Sequence, residues 1–251
     1  MIQLKSAREI ETMAAGGRIL AATHQHIKPA LLPGATTLEI DTMVEQFIRS
    51  HPGAKPSFKG LYGFPGSACI SLNEEIVHGI PSSKRVLHEG DIITVDIGVH
   101  YGGFHTDSAW SYPVGRISVD AQRLMEVTEA SLWAGIAEAK RGNHIGDIGA
   151  AVESVVDRAG FSVVRDLVGH GVGAQMHEDP QVPNHGKPKR GPRLQAGMTI
   201  AIEPMVNAGG PATRTLSDKW TIVTLDGALS AHFEHTVAIT ADGPRVLTTL
   251  G

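Results

Sequence analysis

Apolar positions in the first fifty residues recur at helical steps. Ile10, Met13, Gly17 and Leu20 share one face behind Ser6 and Glu9, whose Ser-x-x-Glu spacing is that of a capping box, so a helix is predicted there. Pro33-Gly34 marks a turn. Thr36 and Glu39 then open a second helix with Ile40, Val44, Phe47 and Ile48 on one side. Residues 52–68 break the periodicity with Pro, Gly and aromatic residues and read as a loop. Two strand-like runs follow, Cys69–Leu72 and Ile92–Val99. Helical periodicity returns over 120–140 and 146–159, and beyond it the chain alternates glycine-rich turns with short strands.

The two halves resemble each other. Moved along by 108 positions, Gly34, Ile40, Val44, Glu45 and Ile48 fall on Gly142, Ile148, Val152, Glu153 and Val156. Moved by 107, the segment from Glu89 to Asp96 falls on that from Ala196 to Glu203, and each ends an apolar strand with a carboxylate. The pattern predicts an α+β chain of two related halves, about 6–115 and 116–251, with pseudo-twofold symmetry and a site where they meet.

Composition narrows the class. The 251 residues suit a single domain, 1–251, with ample core. The net charge of −4, with 19% of residues charged, supplies no bulk attraction to DNA or to an anionic membrane. No apolar run reaches the ~18 residues that span a bilayer, and the N-terminus turns polar too soon for a signal peptide. A single cysteine, Cys69, excludes an internal disulfide and fits a reducing, cytoplasmic setting. A monomer is the default expectation.

Four carboxylates lie in apolar strand contexts: Asp96, Asp107, Glu203 and Glu234. A turn through Tyr101-Gly-Gly103 would bring Asp107 back beside Asp96, and His232-Phe-Glu234 echoes His105-Thr-Asp107. Ionised acids in such runs are costly unless paired or bound to cations. His170, in Gly169-His-Gly-Val-Gly173, offers a nitrogen ligand in a loop whose glycines permit close approach. Singly, each acid reads as a turn or cap residue and the histidine as a solvated one. Together the five suit two divalent ions about 3.5–4 Å apart, of the Mn, Fe, Co or Zn kind.

The motifs also carry a resemblance. Gly63 to Pro81, Thr94-Val-Asp-Ile-Gly98, Gly169-His-Gly-Val-Gly173, Ile202-Glu-Pro-Met205, Ser230 to Thr236 and Trp220-Thr resemble type I methionine aminopeptidases of the M24 metallopeptidase family, nearly end to end. The resemblance implies the pita-bread fold and removal of the initiator methionine from nascent chains by a hydroxide activated between two metals, with a small second residue favoured. It implies that Asp96 chelates one metal, Asp107 and Glu234 bridge both, and His170 and Glu203 hold the other. It further implies that Glu203 moves the proton, that His78 and His177 face the substrate, and that Tyr62, Phe64, Cys69, Met176 and Trp220 line the methionine pocket. Phe64, Leu61 and Met176 depart from residues common in the family.

Rival readings are an Xaa-Pro aminopeptidase or creatinase-like hydrolase, normally with an extra N-terminal domain, and a non-catalytic binding protein on the same fold. The 33 residues from His170 to Glu203 leave no room for the helical insert of type II enzymes. The exposed-looking Lys187-Pro-Lys-Arg190 cluster reads first as a solvated loop and second as a transient ribosome contact.

Overall fold

Ser6 and Thr36 cap the first two helices as their spacing requires. In the computed structural model, which describes residues 1–250, α1 spans Ala7–Ile27 and α2 spans Thr37–Arg49. Both capping boxes close: the Glu9 carboxylate accepts from the Ser6 N–H at 2.7 Å, and Glu39 does the same for Thr36 at 2.7 Å. The second pair of helices, α3 (Val119–Glu138) and α4 (Ile145–Arg158), opens the other half in the same order. Residues 52–68 are more ordered than a plain loop. Lys55–Pro56 pairs with His100 and Val99, and Leu61–Gly63 forms a 3₁₀ turn.

The strands explain how the halves meet. Ile92–Tyr101 and Phe104–Pro113 form an antiparallel hairpin, with Ala68–Leu72 paired to the hairpin's other edge. Side chains alternate across such a ladder. Ile93, Val95, Ile97 and Val99 pack against Leu20, Ile40, Val44 and Ile48 of α1 and α2, which turns Thr94, Asp96 and Gly98 to the opposite face. The second half repeats the arrangement. Ile200 and Ile202 of Thr199–Ile202, with Val237 and Ile239 of His235–Thr240, pack against Leu132, Ile136 and Ile148 of α3 and α4.

The halves are sewn together by the returning strands. Asp107 N–H donates to Thr236 Oγ1 at 2.9 Å, Glu234 N–H to the Ala109 carbonyl at 2.8 Å, and Ser111 Oγ to the His232 carbonyl at 3.0 Å. Both faces that carry the carboxylates therefore line the seam.

Two packing details lead to measurements. In α1, an ideal Cβ on Gly17 would land on the Leu247 carbonyl oxygen. Helix propensity favours alanine there by about 1 kcal/mol, but overpacking against backbone costs about 1–3 kcal/mol or more. Gly17→Ala is thus expected to lower stability by about 2 kcal/mol in urea titration; a rise would mean that α1 slides freely along the 247–248 backbone.

Fully buried His24 lies 3.1 Å from the Ser108 carbonyl through Nε2 and 3.0 Å from the Tyr112 hydroxyl through Nδ1. A carbonyl only accepts, so Nε2 carries the hydrogen and Nδ1 accepts from Tyr112. Burial lowers the imidazole from 6.5 to about 4. The folded chain refuses a proton that the unfolded chain takes, so this group's contribution is complete above pH 6.5 and is lost as pH falls to 4. It amounts to about 3 kcal/mol at 1.36 kcal/mol per unit. Metal-free His24→Gln should lose that much less stability than metal-free wild type between pH 7 and 4; parallel curves would show that His24 is not the acid-sensitive group.

Candidate metal centre

Register places the acids. Gly98 lies opposite Asp107 in the first hairpin, so Asp96, two residues from Gly98, shares its face with Asp107. Cys69 is opposite Asp96 on the neighbouring strand. Gly98 is required where it stands, because a Cβ there would come within 2.7 Å of Ser57 Cβ and 2.9 Å of the Phe58 ring. In the second half, Ile202 pairs with His235 and Met205 with His232. Between these ladders the pairing lapses at Glu203-Pro204 and Phe233-Glu234. Both glutamates sit in this gap, where the Phe233 N–H still donates to the Pro204 carbonyl at 3.3 Å but Pro204 supplies no N–H to continue the ladder.

The result is one buried cluster at the floor of a cavity of about 740 Å³. Asp96, Asp107, His170, Glu203 and Glu234 all line it, and ligand atoms of Asp107, His170 and Glu234 lie within 4.8 Å of one another. His170 Nε2 is 3.7 Å from Asp107 Oδ2 and 3.6 Å from Glu203 Oε1. Its Nδ1 is 2.8 Å from the Gly171 carbonyl, so Nδ1 holds the hydrogen and Nε2 presents its lone pair to the acids. Burial keeps the ring neutral by lowering its pKa.

Carboxylates so placed resist ionising. Burial, reinforced by the neighbouring acids, pushes Asp96, Glu203 and Glu234 well above the usual range, and burial raises Asp107 to about 7. Asp96 Oδ1, Asp107 Oδ1 and Glu234 Oε1 are buried without a hydrogen-bond donor. No Lys or Arg lines the cavity among the described residues. Acceptor-only oxygens around a neutral imidazole, with no protein cation, are a donor set made for hard or borderline divalent ions. The residues fit the metals.

Above the floor the wall turns apolar. Phe64, Cys69 and Trp220 line the cavity, with the Trp220 ring edge-on to Phe64 at 5.2 Å. Exposed Tyr62 stacks on His177 at 5.8 Å, with its hydroxyl 3.4 Å from His177 Nδ1. His177, an exposed residue, is also edge-on to His170 at 4.5 Å. His78 lines the cavity in a left-handed conformation, φ 60°. Buried Met176 packs with Phe58, Phe64 and Cys69, all of which line the cavity.

Sequence reasoning overlooked Phe58, Leu167 and Glu178, which also line the cavity, and noted His232 only for its spacing to Glu234. The His232 ring is 1% exposed, both nitrogens lack partners, and Nε2 is 3.9 Å from Glu203 Oε2. Its signal was present in the His-x-Glu spacing, which puts it on the same side of the strand as Glu234. Lys187–Arg190 forms an exposed loop across the start of α4, with the Gly146 N–H bonded to the Arg190 carbonyl at 2.9 Å.

Residues 11–241 match the metallopeptidase family M24 model. Over 248 residues the chain is 55% identical to methionine aminopeptidase 1 of Bacillus subtilis (strain 168), covering 99% of each. The crystal structure of methionine aminopeptidase from Thermotoga maritima superposes with a TM-score of 0.97 at 42% identity, over 99% of this chain and 100% of that one. The prolidase from Pyrococcus horikoshii OT3, at 22% identity and TM-score 0.80, shares the fold over 99% of this chain and 64% of its own.

Proposed function

Since the chain belongs to metallopeptidase family M24, among its methionine aminopeptidases, and is a metal-dependent hydrolase that removes N-terminal methionine from polypeptides, we propose a role for each group in the cavity. Asp96, Asp107, His170, Glu203 and Glu234 would hold two divalent cations. When bound, the ions supply a water acidic enough to ionise near neutral pH and an electrophile for the scissile carbonyl. Glu203, whose two oxygens His170 Nε2 and His232 Nε2 approach, takes the proton from the attacking water and delivers it to the leaving amine. His177 donates to the carbonyl oxygen as charge builds there. His78 holds the scissile amide in line.

Specificity follows from the wall. Phe64, Cys69, Trp220 and Tyr62 surround space for one unbranched apolar side chain, and Met176 shapes it from behind. The substrate's free α-amine lies toward the acid cluster, so a single residue is removed and a formylated N-terminus is refused. A small second residue is favoured. The same reading makes residues 1–251 one catalytic domain of two related halves, 6–115 and 116–251, acting as a monomer on nascent chains in the cytoplasm. Among the described residues no helix is long and apolar enough to cross a membrane.

The observation that carries this reading is the convergence of four acids, Asp107 and Glu234 buried and Asp96 and Glu203 partly so, and one neutral imidazole, without a protein cation, beneath an apolar wall. Chelator-stripped protein should release free Met from Met-Gly-Met-Met only after Mn, Co, Fe or Zn is restored, and should leave a peptide beginning Gly-Pro intact. Cleavage ahead of proline would move the activity to the Xaa-Pro branch. Folded protein that neither binds metal nor turns over would overturn the enzyme reading.

A further inference from the structure

His177 rides on a tight loop whose shape is held from behind. Gly173 donates its N–H to the Gln175 carbonyl at 3.0 Å, and its own carbonyl accepts from the His105 N–H at 2.8 Å. Glu178 closes the loop from within, because its Oε1 accepts from the Gln175 N–H at 3.0 Å. The other Glu178 oxygen accepts from the ammonium of Lys5, which arrives from the segment ahead of α1. Both side chains are buried, 4% and 5% exposed. Lys5 is itself anchored, with its backbone N–H donating to the Gly197 carbonyl at 2.7 Å. A Cβ on Gly173 would strike Lys5 Cε and come within 2.7 Å of Glu178 Oε1, so this glycine leaves the space the pair occupies. Glu178 and His177 line the cavity, whereas Lys5 does not.

Resting on the reading of His177 as the donor to the substrate carbonyl, the geometry points to Lys5 and Glu178 as positioning residues that set where the His177 imidazole sits. A buried ion pair adds little net stability compared with a well-packed apolar pair. Its constraint is geometric. Glu178 cannot leave Gln175 and Lys5 without stranding a buried charge, and His177 is the next residue along the chain. A shift of about 1 Å in a group that must meet a developing oxyanion costs up to about 10²-fold in rate. Lys5 thereby affects a reaction it does not touch.

The test separates stability from placement. Lys5→Met alone strands the Glu178 charge and should lower both Tm and kcat. Lys5→Met with Glu178→Leu removes both charges; its Tm should return to within a few degrees of wild type while kcat stays about 10–100-fold low and KM changes less than about threefold. In a His177→Ala background the same double replacement should change kcat less than twofold further. Recovery of kcat along with Tm, or losses that multiply in that background, would overturn the positioning role. If His177→Ala alone left kcat unchanged, the role of His177 would fall and this inference with it. Loss of kcat in His177→Ala but not in the pair variant would overturn the inference alone.

Discussion

Glu203→Gln should lower kcat by about a thousandfold at saturating metal, with the fold intact by circular dichroism. General acid–base groups contribute about 10²–10⁴-fold when correctly placed. Glu203 is the cavity carboxylate that both His170 Nε2 and His232 Nε2 approach, at 3.6 and 3.9 Å, on its two oxygens. The amide keeps an oxygen for coordination but cannot take up and return a proton. Metal content measured alongside activity separates the two functions. Full metal occupancy with a thousandfold loss supports proton transfer by Glu203; a loss under tenfold at full occupancy would remove it from that role.

The second large effect reverses sign between stability and activity. Asp96, Asp107, Glu203 and Glu234 have raised pKa values in the fold, chiefly through burial. A carboxyl raised above its unfolded value contributes stability below about pH 4 that is lost as pH rises through the folded value. Near pH 7 the metal-free cluster therefore weakens the protein. Asp96→Asn relieves part of that repulsion, and the metal-free variant should melt about 5 °C above metal-free wild type, corresponding to about 2 kcal/mol. The same change removes a proposed metal ligand. The rise in Tm on adding Mn²⁺ should be large in wild type and small in the variant, and turnover should fall a thousandfold or more, since bound ions supply several kcal/mol of transition-state stabilisation. A metal-free Tm lower than wild type would show that Asp96 is structural.

Residue spacing carried much of this molecule into view. Both capping boxes close where Ser6-x-x-Glu9 and Thr36-x-x-Glu39 place them. The paired strands run where Ile92–Val99 and its counterpart near Glu203 place them. These features are legible because they depend on neighbours a few residues apart. The hairpin through Gly102-Gly103 is equally local, and it alone brings Asp107 onto the face of Asp96.

Other features depend on parts of the chain that meet only in the fold. Met176 packs against Phe58, Phe64 and Cys69, neighbours more than a hundred positions away in the chain. His232 was noticed only as an echo of His105; the fold brings its bare ring to 3.9 Å from Glu203, across a strand pair whose partner lies 27 positions away. The Lys5–Glu178 pair spans 173 positions and has no local signature. The sequence by itself determined the helices and the hairpin, because hydrophobic period and capping act over a few residues. Which side chains face the cavity, which stand behind it, and how far burial lifts the carboxylates were decided only when the two sheets met at the seam. Burial and desolvation are properties of that whole assembly and have no counterpart in any short stretch of chain.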